Sequence, residues 1–255
     1  MAGVRDVEAA RAALGKRERL HLVRLDVTDP DQVERGVREA ERIAGGALAC
    51  VVNNAGYAVL GAQEDADLEE VRAMFETNLL GAARVTQAAL PAMRERRCGT
   101  VVYVSSIGAR MPIPLLGFYQ ASKAAMSMLA EALAVECRPF GVRVALIEPG
   151  VVRSDFPLSV RPTGAAPGGR GPYRDLLPAV RAGIRRLRED FPTEPTDVAA
   201  AVVAAATAEE WPFRTILGGD AELIERQRSR GSDEGFQDAL VRLLGLDWPR
   251  SGARR

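Results

Sequence analysis

Histidine and lysine are nearly missing from this chain. Its 255 residues include one histidine, His21, so a Ser-His-Asp triad or a histidine-built zinc site has almost no material. Cysteine is scarce as well. Cys50, Cys98 and Cys137 are odd in number and lack metal-ligand spacing, so they read as free thiols in a reducing cytoplasm, and no metal site is expected. Neither sign of charge is in excess: 34 Lys plus Arg face 34 Asp plus Glu, which gives no footing for a nucleic-acid or anionic-membrane partner. Apolar runs such as Ala199 to Ala206 are far too short to span a bilayer. The opening stretch, rich in Arg and Glu, has no apolar signal-peptide core. These absences together predict a cytoplasmic location.

The scarcity of lysine carries information. Only Lys16 and Lys123 are lysines, in a chain that otherwise uses arginine wherever a cation serves. A lysine kept in such a chain points to a position that needs one.

What is present predicts an α/β protein. With 47% apolar residues the chain can bury one sizeable core, so residues 1–255 read as a single domain. Leu20 to Val27 reads as a strand. Thr28 or Asp29 with Pro30 can then start a helix that runs to about Ile43 on the apolar positions Val33, Val37 and Ala40. Ala47 to Val52 is a short buried strand ending in Asn53-Asn54-Ala55-Gly56. One or two helices, broken at Pro91, cover Leu68 to about Met93. Gly99 to Ser105 is a strand, Phe118 to Arg138 a helix closed by Pro139 and Gly141, and Val142 to Glu148 a strand stopped by Pro149-Gly150; Arg214 to Leu217 is a further candidate. Nearly continuous apolar strands alternating with helices imply a parallel sheet covered on both faces. Ligands on such sheets bind outside the carboxyl ends of the strands. Asp26, Asn53, Ser106 and Pro149-Gly150 all fall at those ends, on one rim. The segment 155–195 is rich in proline and follows that rim directly, which predicts a lid over the site.

The chemistry concentrates in Tyr119-Gln-Ala-Ser-Lys123. A spacing of four puts Tyr119 and Lys123 on one helix face. A phenol titrates near about 10 and is a poor base at neutral pH; a nearby ammonium favours the phenolate. A tyrosine tuned in this way can give a proton to a carbonyl oxygen or take one from an alcohol. By itself the pair is equally an exposed helical pair. Ser106, thirteen residues earlier at a strand end, can hold a substrate oxygen against Tyr119, or is a plain turn serine. Asn78, mid-helix where asparagine is unfavourable, can bend the helix and hold a water, or is simply exposed.

Taken in order, Asp26-Val27, Asn53-Asn54-Ala55-Gly56, Asn78, Ser106, Tyr119, Lys123 and Pro149-Gly150-Val-Val-Arg-Ser154 resemble the short-chain dehydrogenase/reductase family over roughly residues 1–155. The resemblance implies a Rossmann-like, doubly wound parallel sheet and an NAD(P)-dependent oxidoreductase acting on a ketone or secondary alcohol. It implies Tyr119 as general acid/base, Lys123 on the nicotinamide ribose lowering the tyrosine pKa, Ser106 orienting the carbonyl and Asn78 holding a proton-relay water. Asp26 and Val27 would meet the adenine, and Asn53, Ala55 and Gly56 the middle of the cofactor. Pro149 and Gly150 would lead into Val152 and Ser154 at the carboxamide, with Ser154 standing where the family usually has threonine. Arg5, just past a strand end, favours NADP over NAD by meeting a 2′-phosphate, or is a solvated arginine. Met111, Pro112, Phe118 and the lid would line an apolar pocket for a hydrophobic carbonyl compound, and a homodimer or homotetramer follows by analogy.

One part of the family pattern is absent. No TGxxxGxG turn precedes the strands, although such a turn brings backbone amides to the pyrophosphate. The first residues look like the end of the family's second strand, so the fold is expected to be N-terminally incomplete by about 30 residues. Removing a central strand would separate Leu20–Val27 from Ala47–Val52 and leave unpaired edges. The expectation is a product that starts upstream, which N-terminal sequencing of the native protein decides. The competing expectation is a truncated, catalytically inactive member acting at most as an interaction partner.

Overall fold

A computed structural model describes residues 1–163, 172–173 and 176–246. Every strand ladder in it is parallel. Four strands make the main sheet in the order β3 (Cys50–Asn53), β5 (Gly99–Val104), β6 (Val142–Pro149) and β8 (Arg214–Leu217). The pairing Val51↔Val101↔Val144 fixes the register. All six residues of β5 are buried, as a central parallel strand with both faces covered requires. On one face α2 (Pro30–Ala44), α4 (Ala82–Arg96) and α5 (Gly117–Cys137) enclose Val51, Val101, Tyr103 and Leu146 with Val37, Met93 and Met126. On the other face Ala201 and Ala205 of α7 (Pro195–Thr207) cover Val102, Ala145 and Ile147. A third cluster joins α6 (Leu176–Asp190), α8 (Gly219–Arg230) and α9 (Asp233–Leu243) through Leu187, Ile224 and Leu240. The architecture is Rossmann-like.

β1 (Ala2–Val4) and β2 (Leu22–Arg24), linked by α1 (Val7–Leu14), form a pair that, among the described residues, shares no ladder with the main sheet. β3 is an edge of the main sheet, and Val52 on it is 42% exposed. The pair is held through α2. Asp29 caps that helix by accepting the amides of Asp31 and Gln32, with Pro30 in its first turn. Val33 and Val37 then pack with Ala89 and Met93 of α4.

Several expected boundaries move. The strand expected over Leu20–Val27 contracts to Leu22–Arg24, and that expected over Ala47–Val52 becomes Cys50–Asn53. Pro91 does not break its helix: α4 runs through it to Arg96. Pro91 and Gln87 are both exposed, so the carbonyl that loses its donor lies on the water side while Ala89 and Met93 hold the helix to the core. The interruption comes earlier. α3 (Leu68–Phe75) passes into a π-helical turn, Glu76–Gly81, before α4 begins. The segment 155–195 is more regular than a loop. It contains β7 (Val160–Pro162), which pairs with the unanticipated β4 (Ala58–Leu60), and all of α6. Its residues 164–171 and 174–175 lie outside the described residues.

Because α2 and α4 carry the β1–β2 pair against the main sheet, thinning that contact loosens the pair first. Val37→Ala is expected to cost about 2 kcal/mol in denaturant unfolding and to speed amide exchange in Ala2–Val4 and Leu22–Arg24 more than in β5.

Candidate active site

Tyr119 is the third residue of α5, and Lys123 follows one turn later. Lys123 is 4% exposed, and its Nζ donates to the carbonyl of Val104 at 3.0 Å. The last residue of β5 thus holds the ammonium from below. Ser106 caps the short turn Ile107–Ala109 by accepting the amide of Gly108 at 3.0 Å, and its hydroxyl lies near enough to the Tyr119 phenol to favour the phenolate. The Phe156 ring stands 5.7 Å from the Tyr119 ring, centroid to centroid.

The electrostatics differ from the sequence expectation. Burial pushes the Tyr119 phenol up to about 12, and the nearby Ser106 hydroxyl pulls it back. Burial brings Lys123 down to about 8. Its charge is turned toward Val104.

Asn78 sits fully buried in the π-helical turn. Its Oδ1 accepts the Tyr57 amide at 3.0 Å, while its Nδ2 donates to the Tyr57 carbonyl at 2.9 Å and to Ser122 Oγ at 3.0 Å. Both amide hydrogens are therefore engaged, and a water held here has to use the main-chain carbonyl or the second lone pair of Oδ1. Gly56 lies against this group. A Cβ on it would come within 3.0 Å of Asn78 Oδ1 and 3.6 Å of Lys123 Nζ.

A cavity of about 1440 Å³ gathers Gly56, Ser106, Tyr119, Lys123, Pro149, Gly150, Val152 and Ser154. The other expected residues do not line it. Asn53 points into the protein, its amide donating to Thr86 Oγ1 at 2.9 Å, and the neighbouring Asn54 lines the cavity instead. Ala55 is exposed. Asp26 accepts both the amide and the hydroxyl of Thr28, at 2.9 and 2.8 Å, and Val27 packs against Gly81. Arg5 is exposed beyond β1. These three stand at the carboxyl ends of the separate strand pair. The apolar wall also differs. Met111 is a core residue, Phe118 packs toward Met74 and Pro112 is exposed, while Ile113, Leu115 and Leu116 face the cavity.

A buried polar chain under α5 went unanticipated. Ser105 Oγ donates to the Lys123 carbonyl at 3.1 Å and meets Ser127 Oγ at 2.9 Å; Ser127 donates to Glu148 at 2.8 Å, and Glu148 pairs with Arg214 at 2.6 Å. Serine one turn after Lys123, on a face that otherwise buries Met126 and Ala130, is the sequence signal that could have exposed it.

A family model for short chain dehydrogenases matches residues 3–163. The chain belongs to this family. Among relatives of this short-chain dehydrogenase, the 3-ketodihydrosphingosine reductase of Bacteroides thetaiotaomicron is 34% identical over 224 residues, spanning 87% of this chain and 82% of that protein. A short-chain dehydrogenase from Streptomyces avermitilis is 32% identical with a TM-score of 0.77, covering 96% of this chain and 88% of that one. A Burkholderia cenocepacia short chain dehydrogenase in complex with NADP, at 24% identity and a TM-score of 0.69 over 97% of this chain and 85% of that one, shares the fold.

The residues present suit one half of the family's dinucleotide. Gly56 leaves open the space before Asn78 and Lys123, and the buried Lys123 ammonium uses one of its three hydrogens on protein. The phosphates find no glycine-rich turn among the described residues.

The depressed Lys123 fixes a sign. Its folded pKa, about 8, lies below the ordinary lysine value of 10.5, so between these values the unfolded chain binds more protons and stability rises with pH. Wild type is expected to gain stability relative to Lys123→Met from pH 8 to 10 in chemical denaturation; a constant difference would contradict the buried charge.

Proposed function

We propose that this short-chain dehydrogenase/reductase interconverts a ketone and a secondary alcohol using NADP(H), with Tyr119 as general acid/base. The observation that carries the reading is that Ser106, Tyr119 and the buried Lys123 line the wall of one cavity. NADPH, when bound, supplies the hydride. Ser106 holds the substrate oxygen, and Tyr119 delivers a proton to that oxygen in the reducing direction and removes it in the other. A phenol raised to about 12 is fully protonated at neutral pH, which suits it to act as the acid in reduction. Lys123 donates its free hydrogens to the nicotinamide ribose, while Val152 and Ser154 face the carboxamide. The NADP held by the Burkholderia cenocepacia neighbour and the cation Arg5 beyond β1 favour NADP over NAD. Within the segment 155–195, Phe156, Val160 and α6 form cavity wall and serve as the substrate lid.

The substrate is a hydrophobic carbonyl compound. Leu60, Ile113, Leu115, Phe156 and Val180 make the cavity beside Tyr119 largely apolar, and the name of the Bacteroides thetaiotaomicron relative points to a long-chain keto compound. The protein works as a homodimer or homotetramer. Met128 and Val135 on α5 are 65% and 73% exposed and supply an apolar face for self-association. Light scattering that finds a monomer at micromolar concentration would remove this part of the proposal.

The separate β1–β2 pair favours a second reading, a non-catalytic member that serves as an interaction partner. Thermal unfolding with saturating NADPH separates the two. At about 100 times its Kd the ligand adds roughly 2.7 kcal/mol, so the midpoint is expected to rise by a few degrees. Tyr119→Phe is expected to retain that rise and lose about 10²- to 10⁴-fold in kcat for a hydrophobic ketone. No NADPH-dependent rise in wild type would favour the second reading.

A further inference from the structure

Asp220 is fully buried, yet it is outside every motif that carries the family resemblance. It is the second residue of α8, immediately after β8. Its Oδ2 accepts the amide of Val151 at 2.7 Å. The amides of Asp220 and Ala221 at the start of α8 also favour its charge, while burial opposes it. Its Oδ1 has no hydrogen-bond partner among the described residues and faces Gly150. A Cβ on Gly150 would fall inside the carboxylate, and a Cβ on Gly218, where φ is +108°, would stand 2.8 Å from Oδ1. The two glycines make the space that the carboxylate fills.

The loop after β6 is therefore hung from the C-terminal part of the chain. The Gly150 amide donates to the carbonyl of Leu217 at 2.8 Å and the Arg153 amide to that of Thr193 at 2.8 Å, with Val152 bridged to Thr193. Asp220 is the only side chain seen to take one of these amides among the described residues, and it does so between Gly150 and Val152, where the loop turns into the cavity.

We propose that Asp220 is a positioning residue for the Gly150–Ser154 loop, its carboxylate seated against Gly150 and holding Val151, so that Val152 and Ser154 are presented to the cofactor. The role of Val152 and Ser154 rests on the function proposed above; the anchoring of the loop does not. Gly150 is required by the carboxylate behind it as well as by any ligand in front of it. A methyl at position 150 and the carboxylate at 220 compete for one volume, so their effects cannot be independent.

The experiment is a double-mutant cycle of Gly150→Ala and Asp220→Ala, read by NADPH fluorescence titration and by hydrogen exchange of the Val151 amide. Each single change is expected to weaken NADPH binding and to speed Val151 exchange at least tenfold. The double variant is expected to be no worse than Gly150→Ala, because removing the carboxylate frees the space the methyl needs. Losses that multiply would overturn the proposal. Asp220→Leu and Asp220→Asn keep the site filled and carry the comparison if Asp220→Ala does not fold. Asn, which retains a carbonyl acceptor, should protect the Val151 amide and Leu should not; equal protection overturns the proposal. If wild type binds no NADPH, the proposed function fails, and amide exchange alone decides the role of Asp220.

Discussion

A buried ammonium ties the first turns of α5 to the end of β5. Lys123 reaches back under the helix to the Val104 carbonyl, and the cost of burying its charge is visible in its lowered pKa. The arrangement is sustained because the elements around it are fixed by other means. The Val101–Val144 and neighbouring ladders hold β5, and Met126 and Ala130 seat α5 on the sheet. The chain Ser105, Ser127, Glu148 and Arg214 satisfies polar groups that burial would otherwise leave bare. Tyr119, Ser106 and Gly56 then converge on one wall, with Asn78 buried against Gly56, because each is adjacent in sequence or contact to a group that touches this anchor.

The separation of β1–β2 from the main sheet puts a different demand on the fold. A parallel sheet edge offers unpaired amides and carbonyls, and here it carries the half-exposed Val52. The residues expected to meet the adenine end of a dinucleotide belong to the separate pair, whereas those expected at the nicotinamide end belong to the main sheet and α5. Any ligand spanning both depends on α2 keeping the two pieces in register, through side chains as small as Val33 and Val37.

Much of the site could be read in the sequence because its residues carry local signals. Tyr119 and Lys123 share a helix face, Ser106 ends a strand, and Pro149-Gly150 stops one. The strands themselves were legible as apolar runs, since β5 and β6 are covered on both faces. What escaped depended on distance along the chain. The turn of Asn53 toward Thr86, the engagement of Asn78 with Tyr57, and the hold of Asp220 on Val151 are contacts between residues far apart in sequence, which no periodicity encodes. The pairing of β4 with β7 is hidden for the same reason, three residues being too short to show a period. Pro91 misled because local propensity favours a break, and tertiary packing of Ala89 and Met93 overrode it.

The π-helical turn at Glu76–Gly81 has a geometric result for the whole stretch from Leu68 to Arg96. A wide turn inserts a residue without completing another step of the spiral, so the side chains beyond it are rotated relative to those before it. Val71 and Met74 accordingly look toward Val59 and the cavity flank, while Ala82, Ala89 and Met93 look toward the main sheet. One continuous rod thereby serves two separate cores, and Asn78 stands at the join where its two halves change allegiance.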